Sequence, residues 1–309
     1  MLVRVAERPI LDDDNIVLAP YIEAENGEIK YYEFNKNDPK VNFSDSRVIY
    51  VNDVMYLTSI SHFRIARSKD GVNFYIDDKP TIFPEDKLEE YGIEDPRITH
   101  IDGVYYITYS AVSSQGICTC LIKTHDFVNF ERLGAIFCPD NKDVVIFPEK
   151  INGQYYALHR PSSGSRKRND IWMADSPDLI SWGSHRFLIG VRNGKWDSGR
   201  VGGSLVPFKT DKGWLEIYHG ATVDHRYCLG ALLLDLNEPW KIIGRSENPI
   251  MEPETTYEKQ GFFGNVIFSC GGLLENGILK LYYGASDMYV AYAELQVNDI
   301  LSSLVKDGY

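Results

Sequence analysis

The sequence has few cysteines, and their arrangement excludes two common classes of site. Only five are present, scattered along the chain: Cys118, Cys120, Cys138, Cys228 and Cys270. Cys118 and Cys120 are one residue apart on a predicted strand, so their side chains point to opposite faces. Such a pair is typical of neither a zinc site nor a redox motif. We therefore expect reduced thiols, no bound metal and a cytoplasmic protein.

The sequence also lacks an excess of positive charge and any long apolar run. It has 32 basic and 44 acidic residues, a net charge of −12, whereas nucleic-acid binding requires a basic surface. No stretch approaches the roughly 20 apolar residues that span a bilayer. Residues 1–19 are too charged for the apolar core of a secretion signal. We expect neither a nucleic-acid nor a membrane partner.

What the sequence does contain is the composition of a folded globular protein. Of its 309 residues, 44% are hydrophobic, and 25 are Gly and 14 Pro, which is neither disordered nor collagen-like. A chain of this length buries most of its apolar surface and needs no disulfide staples. All-β folds often run to this length as one unit, and we predict a single domain over residues 1–309.

One short phrase recurs five times: a turn of Asn or Asp with Gly or Asp, followed by aromatic and β-branched residues. Its copies begin at Asn52, Asp102, Asn152, Asp211 and Asn276. Each is typical of a tight hairpin, and the spacing of 50 to 65 residues accommodates four short strands. The repeat predicts an all-β fold, a five-bladed β-propeller, with a short C-terminal helix over Val297–Val305. A β-sandwich with unrelated hairpins is the alternative.

A second phrase follows the first three copies, in residues 67–74, 123–130 and 174–182. Each ends a strand in a polar turn that contains an aromatic residue. The shared order of the two phrases supports a repeated unit over the first half of the chain.

Several polar residues interrupt otherwise apolar strands, and a propeller binds its ligand in the axial funnel built by such residues. The candidates are Glu94, Asp95, Arg97, His159, Arg160, Arg200, His219 and Asp287. Glycines around Arg200 let the backbone approach a ligand closely. The alternative interpretations are that Asp95-Pro96 forms an ordinary turn and that Arg160 links two blades.

The charges of these candidates are unequal. Only Asp95 and Asp287 are predicted to face inward as acids, against a basic set of four residues, namely Arg64, Arg160, Arg200 and His219. A glycosidase needs a second carboxylate as base or nucleophile. A cationic cluster opposite one acid indicates a bound oxyanion instead, and the planar fork of arginine suits phosphate. Aromatic side chains around the funnel would stack on sugar rings.

Five phrases in this order resemble glycoside hydrolase family 130, the β-mannoside phosphorylases and their hydrolytic relatives. They occupy residues 94–97, 142–150, 158–161, 218–220 and 282–287. The fold of that family is a five-bladed propeller, in agreement with the repeat count.

The resemblance implies an inverting phosphorolysis of short β-mannosides to α-mannose 1-phosphate and a shortened sugar. It implies that Asp95 is the general acid, protonating the mannose 3-hydroxyl, which relays its proton to the leaving oxygen. It assigns phosphate to Arg64, Arg160, Arg200 and His219. It assigns the sugar to Asp45, Ser46, Glu94, Lys150 and Asp287. Inorganic phosphate is then the co-substrate, no cofactor is needed, and a homo-oligomer is expected to be possible.

Two other functions stay open at this point. One is an inverting β-mannosidase that uses Glu149 or Glu216 as base, and the other is a non-catalytic sugar-binding propeller. The linkage, β-1,2 or β-1,4, and the acceptor sugar depend on variable loops such as Ser162 to Asn169. The basic run Arg166-Lys167-Arg168 in that loop is predicted to be a solvated tip.

Overall fold

The computed structural model describes residues 1–23, 26–52, 54–162 and 168–306. Asp53 of the first repeat, and Arg166 and Lys167 of the basic loop, lie outside these residues. The chain divides into two compact units. Unit 1 comprises Met1–Pro96 and Tyr109–Cys118, and unit 2 comprises Arg97–Thr108 and Thr119–Tyr309. The single-domain interpretation stays a prediction.

The fold is mainly β. The first strands are β1 (Leu2–Glu7), β2 (Ile16–Ile22), β3 (Ile29–Asn35), β4 (Val41–Asn42), β5 (Val48–Val51), β6 (Val54–Leu57), β7 (Ile60–Arg67) and β8 (Tyr75–Ile76). A 3₁₀ turn over Lys87–Glu89 precedes β9 (Ile93–Ile101), β10 (Val104–Ser113), β11 (Gly116–Thr124) and β12 (Glu131–Phe137).

The second half continues the same pattern. Its elements are β13 (Asn141–Ile146), β14 (Tyr155–Pro161), β15 (Ile171–Ser176), β16 (Gly183–Ile189), β17 (Arg200–Gly203), β18 (Phe208–Lys209), β19 (Trp214–Ala221), β20 (Tyr227–Leu234), β21 (Ile242–Ser246), α1 (Thr256–Lys259), β22 (Ile267–Glu275), β23 (Ile278–Ala285), β24 (Tyr289–Gln296), α2 (Val297–Ser303) and β25 (Leu304–Val305).

Neighbouring strands in the sequence pair into small sheets. Unit 1 holds the sheets β1-β7-β8, β2-β3 and β4-β5-β6. Unit 2 holds β13-β14-β15-β16, β22-β23-β24, and β17-β19-β20-β21-β25 with β18 beside β19. A further sheet has the order β12-β11-β10-β9. The prediction of an all-β chain is confirmed at this level.

The recurring phrase does form hairpin turns. Asp102-Gly103, Asn152-Gly153 and Asn276-Gly277 all have positive φ at both residues, from +50° to +83°, the backbone of a type I′ turn. Glycine tolerates this region because it has no Cβ, and Asn and Asp tolerate it because their short polar side chains can hydrogen-bond locally. The hairpin prediction is confirmed at these three copies.

The second phrase forms the same kind of turn at each of its three copies. Asp70, Asp126 and Asp178 each accept hydrogen bonds from the backbone N–H groups two and three residues ahead, at 2.7–2.9 Å. Such Asx turns hold the chain between two strands. The matching geometry confirms that three polar turns repeat one local unit.

The core of unit 2 fixes the strands that carry the candidate residues. One cluster packs Val145, Leu158 and Val201, from β13, β14 and β17, against Trp214 and Tyr218 of β19. Burial of each large apolar side chain contributes about 1.5–3 kcal/mol. These three strands and β19 therefore form a rigid frame for the polar residues interspersed among them.

The C-terminal helix is shorter than predicted. It spans Val297–Ser303, and Leu304 turns to an extended backbone (φ −74°, ψ 133°). Leu304 then pairs with Ser246 of β21, and this strand pairing ends the helix. None of the five cysteines, all of which lie in the described residues, forms a disulfide bond. Within the residues that the structure describes, no helix is long and apolar enough to cross a membrane.

Candidate active site

A buried cluster of charged side chains forms around Asp143 in unit 2. The Asp143 side chain is 2% exposed and lies on β13, just before the apolar residues 144–146. Arg97 Nη2 donates to its Oδ1 at 3.2 Å, and Arg160 Nη2 lies 3.0 Å from its Oδ2. Both arginines are also buried. One carboxylate therefore holds two buried guanidinium groups.

An irregularity in the sheet places Asp143 in this position. Lys142 pairs with Arg160 and Val145 pairs with Leu158, so β13 carries an extra residue between the two pairs. Asp143 itself has φ +58°. A β-bulge of this kind turns a side chain that regular alternation would place elsewhere.

His219 of β19 completes the cluster. Its Nε2 lies 3.3 Å from Asp143 Oδ2, and its Nδ1 is 3.1 Å from the hydroxyl of Ser204. Gly202 on the neighbouring strand makes room, because a Cβ there would lie 2.4 Å from Asp143 Oδ2 and 2.5 Å from His219 Cε1. Only glycine admits this close approach.

Arg200, at the start of β17, is half-buried and pairs in register with Ala221. Its guanidinium carbon lies 5.7 Å from the ring centre of Tyr227, which in turn packs 6.1 Å from the His219 ring. The ring of Tyr227 therefore lies against both basic side chains, and a cation over an aromatic face is stabilised electrostatically.

Several nitrogens of these arginines make no hydrogen bond. Within the described residues, Arg160 Nε and Nη1 and Arg200 Nε are buried and have no acceptor. Leaving a buried charged donor unpaired costs free energy, and such groups in a native protein indicate a missing ion or water. The arrangement can therefore bind an anion.

Electrostatics keep Asp143 ionised and His219 neutral. Burial by itself would raise the pKa of Asp143, but the charge of Arg160, the contact with His219 and the charge of Arg97 hold that pKa well below its usual range. Burial lowers the pKa of His219, although the Asp143 carboxylate opposes this. The charges of Arg97 and Arg160 thus face one carboxylate, which leaves the cluster positive.

Glu216, a predicted alternative base, lies fully buried on β19. The backbone N–H of Ser204 donates to its Oε1 at 3.2 Å, while Oε2 has no partner among the described residues. Burial raises the pKa of Glu216 well above its usual value. Burial therefore favours the protonated form of its carboxyl group.

Three other predicted residues of unit 2 lie outside the cluster. Lys150 is exposed in the β13–β14 hairpin turn, with its Nζ 4.8 Å from the ring centre of Tyr155. Tyr155 is the first residue of β14, and Arg160 lies five residues further along the same strand. At the usual rise per residue of a strand, Arg160 is about 16 Å from Tyr155. Glu149 is also in that turn and is ion-paired with Lys209. Asp287 is exposed in the β23–β24 turn, with φ +53°.

The predicted acid Asp95 lies on β9 in unit 1. It has φ +54° although it is neither glycine nor in a turn, and strained backbone of this kind often marks functional residues. Arg4 of β1 reaches both acids, with Nη1 3.0 Å from Asp95 Oδ1 and Nη2 2.7 Å from Glu94 Oε1. Arg4 therefore orients the adjacent carboxylates of Glu94 and Asp95.

Arg64 lies on the other face of the same strand pair. It is opposite Val3, whereas Arg4 is opposite Phe63, and side chains alternate along a strand. Arg64 Nη2 lies 3.3 Å from Glu7 Oε1, which His62 Nε2 also contacts at 2.8 Å.

Asp45 and Ser46 lie together in the loop between β4 and β5. The Asp45 carboxylate accepts from Arg47 Nη2 at 2.7 Å and from the backbone N–H of Arg47 at 2.9 Å. Ser46 is exposed, and its backbone carbonyl accepts from Thr58 Oγ1 at 2.8 Å.

Three residues that contact the predicted site residues were not themselves predicted from the sequence. They are Asp143, which links the cluster, Ser204, which holds His219, and Arg4, which holds Glu94 and Asp95. For Arg4 a signal exists, because it interrupts an otherwise apolar stretch at the start of β1. Asp143 directly follows Lys142 and gives no such signal. Ser204 gives no comparable signal.

Known proteins resemble this chain in sequence and fold. A family model described as beta-1,4-mannooligosaccharide phosphorylase matches residues 33–306. A beta-1,2-mannobiose phosphorylase from Listeria innocua is 50% identical over 98% of this chain and 87% of its own. A 1,2-beta-oligomannan phosphorylase from a Thermoanaerobacter species is 42% identical over 78% of this chain and 80% of its own.

A solved structure agrees with the sequence comparison. The Listeria innocua beta-1,2-mannobiose phosphorylase, in complex with beta-1,2-mannobiose, superposes with a TM-score of 0.96 at 50% identity. The match covers 98% of this chain and 87% of that chain. By sequence, by fold and by the phrases that its strands carry, this chain belongs to glycoside hydrolase family 130, as the resemblance predicted.

Proposed function

We propose that this protein is a β-mannoside phosphorylase, a glycosyltransferase of the hexosyl phosphorylase type. It cleaves short β-mannosides with inorganic phosphate and releases α-mannose 1-phosphate with inversion. The observation that carries this proposal is the buried guanidinium of Arg160, two of whose donors have no acceptor among the described residues. An oxyanion satisfies such donors with charge-assisted hydrogen bonds.

Arg160, Arg200 and His219 are the proposed phosphate ligands, and Arg64 remains a predicted fourth. The planar forks of Arg160 and Arg200 match the tetrahedral face of phosphate better than a lysine would. Asp143 supports this set, since its Oδ2 lies 3.0 Å from Arg160 Nη2.

Asp95 is the proposed general acid, acting through the mannose 3-hydroxyl on the leaving oxygen. Phosphate is already anionic at neutral pH, so its attack on the anomeric carbon needs no carboxylate base. Asp45, Ser46, Glu94, Lys150 and Asp287 are the proposed sugar contacts, of which Glu94 is held beside Asp95 by Arg4.

The state of Glu216 supports phosphorolysis over hydrolysis. An inverting hydrolase needs an ionised carboxylate to activate water, and the burial of Glu216 raises its pKa and disfavours the ionised form. Glu149, the other candidate base, is ion-paired with Lys209 in the β13–β14 turn. Neither residue is suited to activate a water molecule at the anomeric carbon.

The linkage that we propose is β-1,2. The two relatives compared above are named for β-1,2-mannobiose and 1,2-β-oligomannan. We further propose that the sheets form a five-bladed propeller, which the five repeated hairpin phrases support. The cytoplasmic location and the homo-oligomer stay predictions.

The test is to incubate the protein with β-1,2-mannobiose in the presence and absence of phosphate. We expect mannose 1-phosphate and mannose to form in equal amounts with phosphate, and no turnover without it. Equal rates without phosphate, with free mannose as the only product, would show hydrolysis. Binding of β-mannosides without turnover under any condition would favour a sugar-binding protein.

A panel in the reverse direction then identifies the acceptor. α-Mannose 1-phosphate is supplied with mannose, glucose or N-acetylglucosamine, and phosphate release is measured. We expect mannose to be the preferred acceptor and the product to be β-1,2-linked. A β-1,4-linked product would reject the proposed linkage and leave phosphorolysis standing.

A further inference from the structure

A cavity of about 600 Å³ lies beside Trp172 on the sheet β13-β14-β15-β16 of unit 2. Pockets that bind small ligands usually enclose about 300–1,000 Å³. The polar and aromatic side chains that line it include Asn141, Ser162, Arg168, Asp170, Trp172 and His185. The proposed function uses none of these residues, so the cavity has no role in it.

The strand register separates this cavity from the Asp143 cluster. His159, which also lines the cavity, is directly opposite Trp172, and Trp172 is opposite Phe187. Residues opposite each other in an antiparallel pair share a face of the sheet. Arg160 follows His159 on β14, and successive side chains of a strand point to opposite faces. The cavity and the proposed phosphate ligand Arg160 therefore lie on opposite faces of the same sheet.

A neutral histidine holds two polar side chains in the wall of the cavity. The buried His159 has its Nδ1 3.0 Å from the amide nitrogen of Asn141 and its Nε2 3.1 Å from His185 Nδ1. Burial and the neighbouring His185 lower the pKa of His159 to about 3. Its ring is therefore uncharged at neutral pH, and its two contacts fix Asn141 and His185 where they line the cavity.

An ion pair of cancelling charge forms another part of the wall. Arg168 Nε donates to Asp170 Oδ2 at 2.6 Å, and Asp170 Oδ1 accepts from the backbone N–H of Val191 at 3.2 Å. Asp170 is buried, whereas the Arg168 side chain is 54% exposed. A buried carboxylate thus anchors an accessible planar guanidinium. Because the two charges cancel, this pair favours a neutral ligand, whereas a phosphate or a nucleotide needs excess positive charge.

Trp172 adds an apolar surface to these polar groups. Its ring is half-buried and packs edge-on against Phe187, with the ring centres 6.2 Å apart. A sugar ring has an apolar C–H face that can stack on an aromatic ring, and hydroxyls at its edge that both donate and accept. Asn141 and Ser162 can likewise donate and accept, and Arg168 donates. The lining therefore matches the chemistry of a neutral sugar.

We propose that the cavity beside Trp172 is a second, non-catalytic binding site for a neutral sugar, and that its ligand is a β-mannoside. The choice of β-mannoside rests on the proposed function, which makes that sugar the substrate of this protein. A sugar held at this site stays close to the candidate active site and raises the effective concentration of substrate there.

The experiment observes the cavity directly by ¹⁹F NMR of the whole protein. The five tryptophans are replaced by 5-fluorotryptophan, and the signal of Trp172 is identified by its loss in Trp172→Phe. β-1,2-Mannobiose is then titrated in the absence of phosphate. We expect the Trp172 signal to shift and to saturate. The signal of Trp214, which is fully buried in the core, is the internal reference and should not move.

Arg168→Gln tests whether the polar wall takes part. The variant should raise the dissociation constant measured at Trp172 about 10- to 150-fold, the range for loss of a hydrogen bond to a charged group. Arg186→Gln is the matched control. Arg186 is also paired with an aspartate of the same sheet, at 3.2 Å, but it is opposite Met173 and so lies on the other face. It should keep the wild-type dissociation constant.

The absence of a saturable shift at Trp172 would overturn the proposal. An equal dissociation constant in the wild type and in Arg168→Gln would also overturn it, because the polar wall would then not contact the sugar. The proposed function fails separately. Phosphate-dependent turnover without a shift at Trp172 rejects only the second site, whereas a saturable shift without turnover of β-1,2-mannobiose rejects the phosphorylase and leaves a sugar-binding cavity.

Discussion

Arg160→Met gives the sharpest test of the phosphate site. The change removes the guanidinium and keeps a long apolar side chain in a buried position on β14. Arg160 Nη2 contacts Asp143 at 3.0 Å, while Nε and Nη1 have no acceptor among the described residues. The variant therefore removes one contact within the protein and two donors that we assign to phosphate.

The expected magnitudes follow from these contacts. A hydrogen bond to a charged group is worth about 1.5–3 kcal/mol, and about 1.4 kcal/mol corresponds to a factor of ten. The KM for phosphate should rise about 10- to 150-fold, and the KM for the mannoside should change much less. Breaking a buried ion pair costs about 3–5 kcal/mol. We expect about 3 kcal/mol of stability to be lost, since Asp143 keeps Arg97.

The assay measures initial rates with β-1,2-mannobiose while phosphate is varied, and the free energy of unfolding is measured by urea denaturation. Arg186→Met is the control, because Arg186 pairs with Asp175 at 3.2 Å and is about one-third exposed. Added guanidinium should partly restore the phosphate dependence of the Arg160 variant. A folded Arg160→Met protein with the wild-type KM for phosphate would refute the reasoning.

Two further predictions concern Asp95 and His159. Asp95→Asn should lower kcat by about 10²- to 10⁴-fold, the usual contribution of a general acid, without changing the fold. The pKa of His159 is lowered to about 3 by burial and by the neighbouring His185. Only the unfolded chain takes up this proton as the pH falls below about 6.5, so folding should lose about 2 kcal/mol between pH 7 and pH 5. His159→Gln should remove this acid sensitivity.

Each of these predictions has its own check. Asp77→Asn, a change at a carboxylate paired with the exposed Arg67, should leave kcat as in the wild type. If Asp95→Asn has the kcat of the wild type, Asp95 is not the general acid. For His159, urea denaturation at several pH values gives the free energy of unfolding. An equal loss of stability on acidification in the wild type and in His159→Gln would show that other groups cause it.

Local chemistry made much of the fold predictable. The Asn-Gly and Asp-Gly pairs at residues 102–103, 152–153 and 276–277 form turns because positive φ is inexpensive for these residues. Asp126 and Asp178 form Asx turns for a similarly local reason. The exact end of the last helix was not predictable, since pairing of Leu304 with Ser246 depends on a strand far away in sequence.

Some residues of the candidate site were also predictable from the sequence, and others were not. Arg160 and His219 could be singled out from the sequence, because a basic residue in an apolar strand requires a partner. The identity of that partner, Asp143, could not, since an irregular register in β13 turns it inward. Lys150 belongs to a matching phrase, yet it lies in the hairpin turn and contacts Tyr155.

The sequence by itself determined the class of fold, the repeated hairpins and the family, because these depend on residue types at short and regular spacings. Tertiary structure alone decided which charges meet. Arg97, Asp143 and His219 are 46 and 76 residues apart in sequence, yet they lie within 3.3 Å of one another in pairs. Their meeting is set by strand register and by the space that Gly202 leaves, which no local pattern encodes.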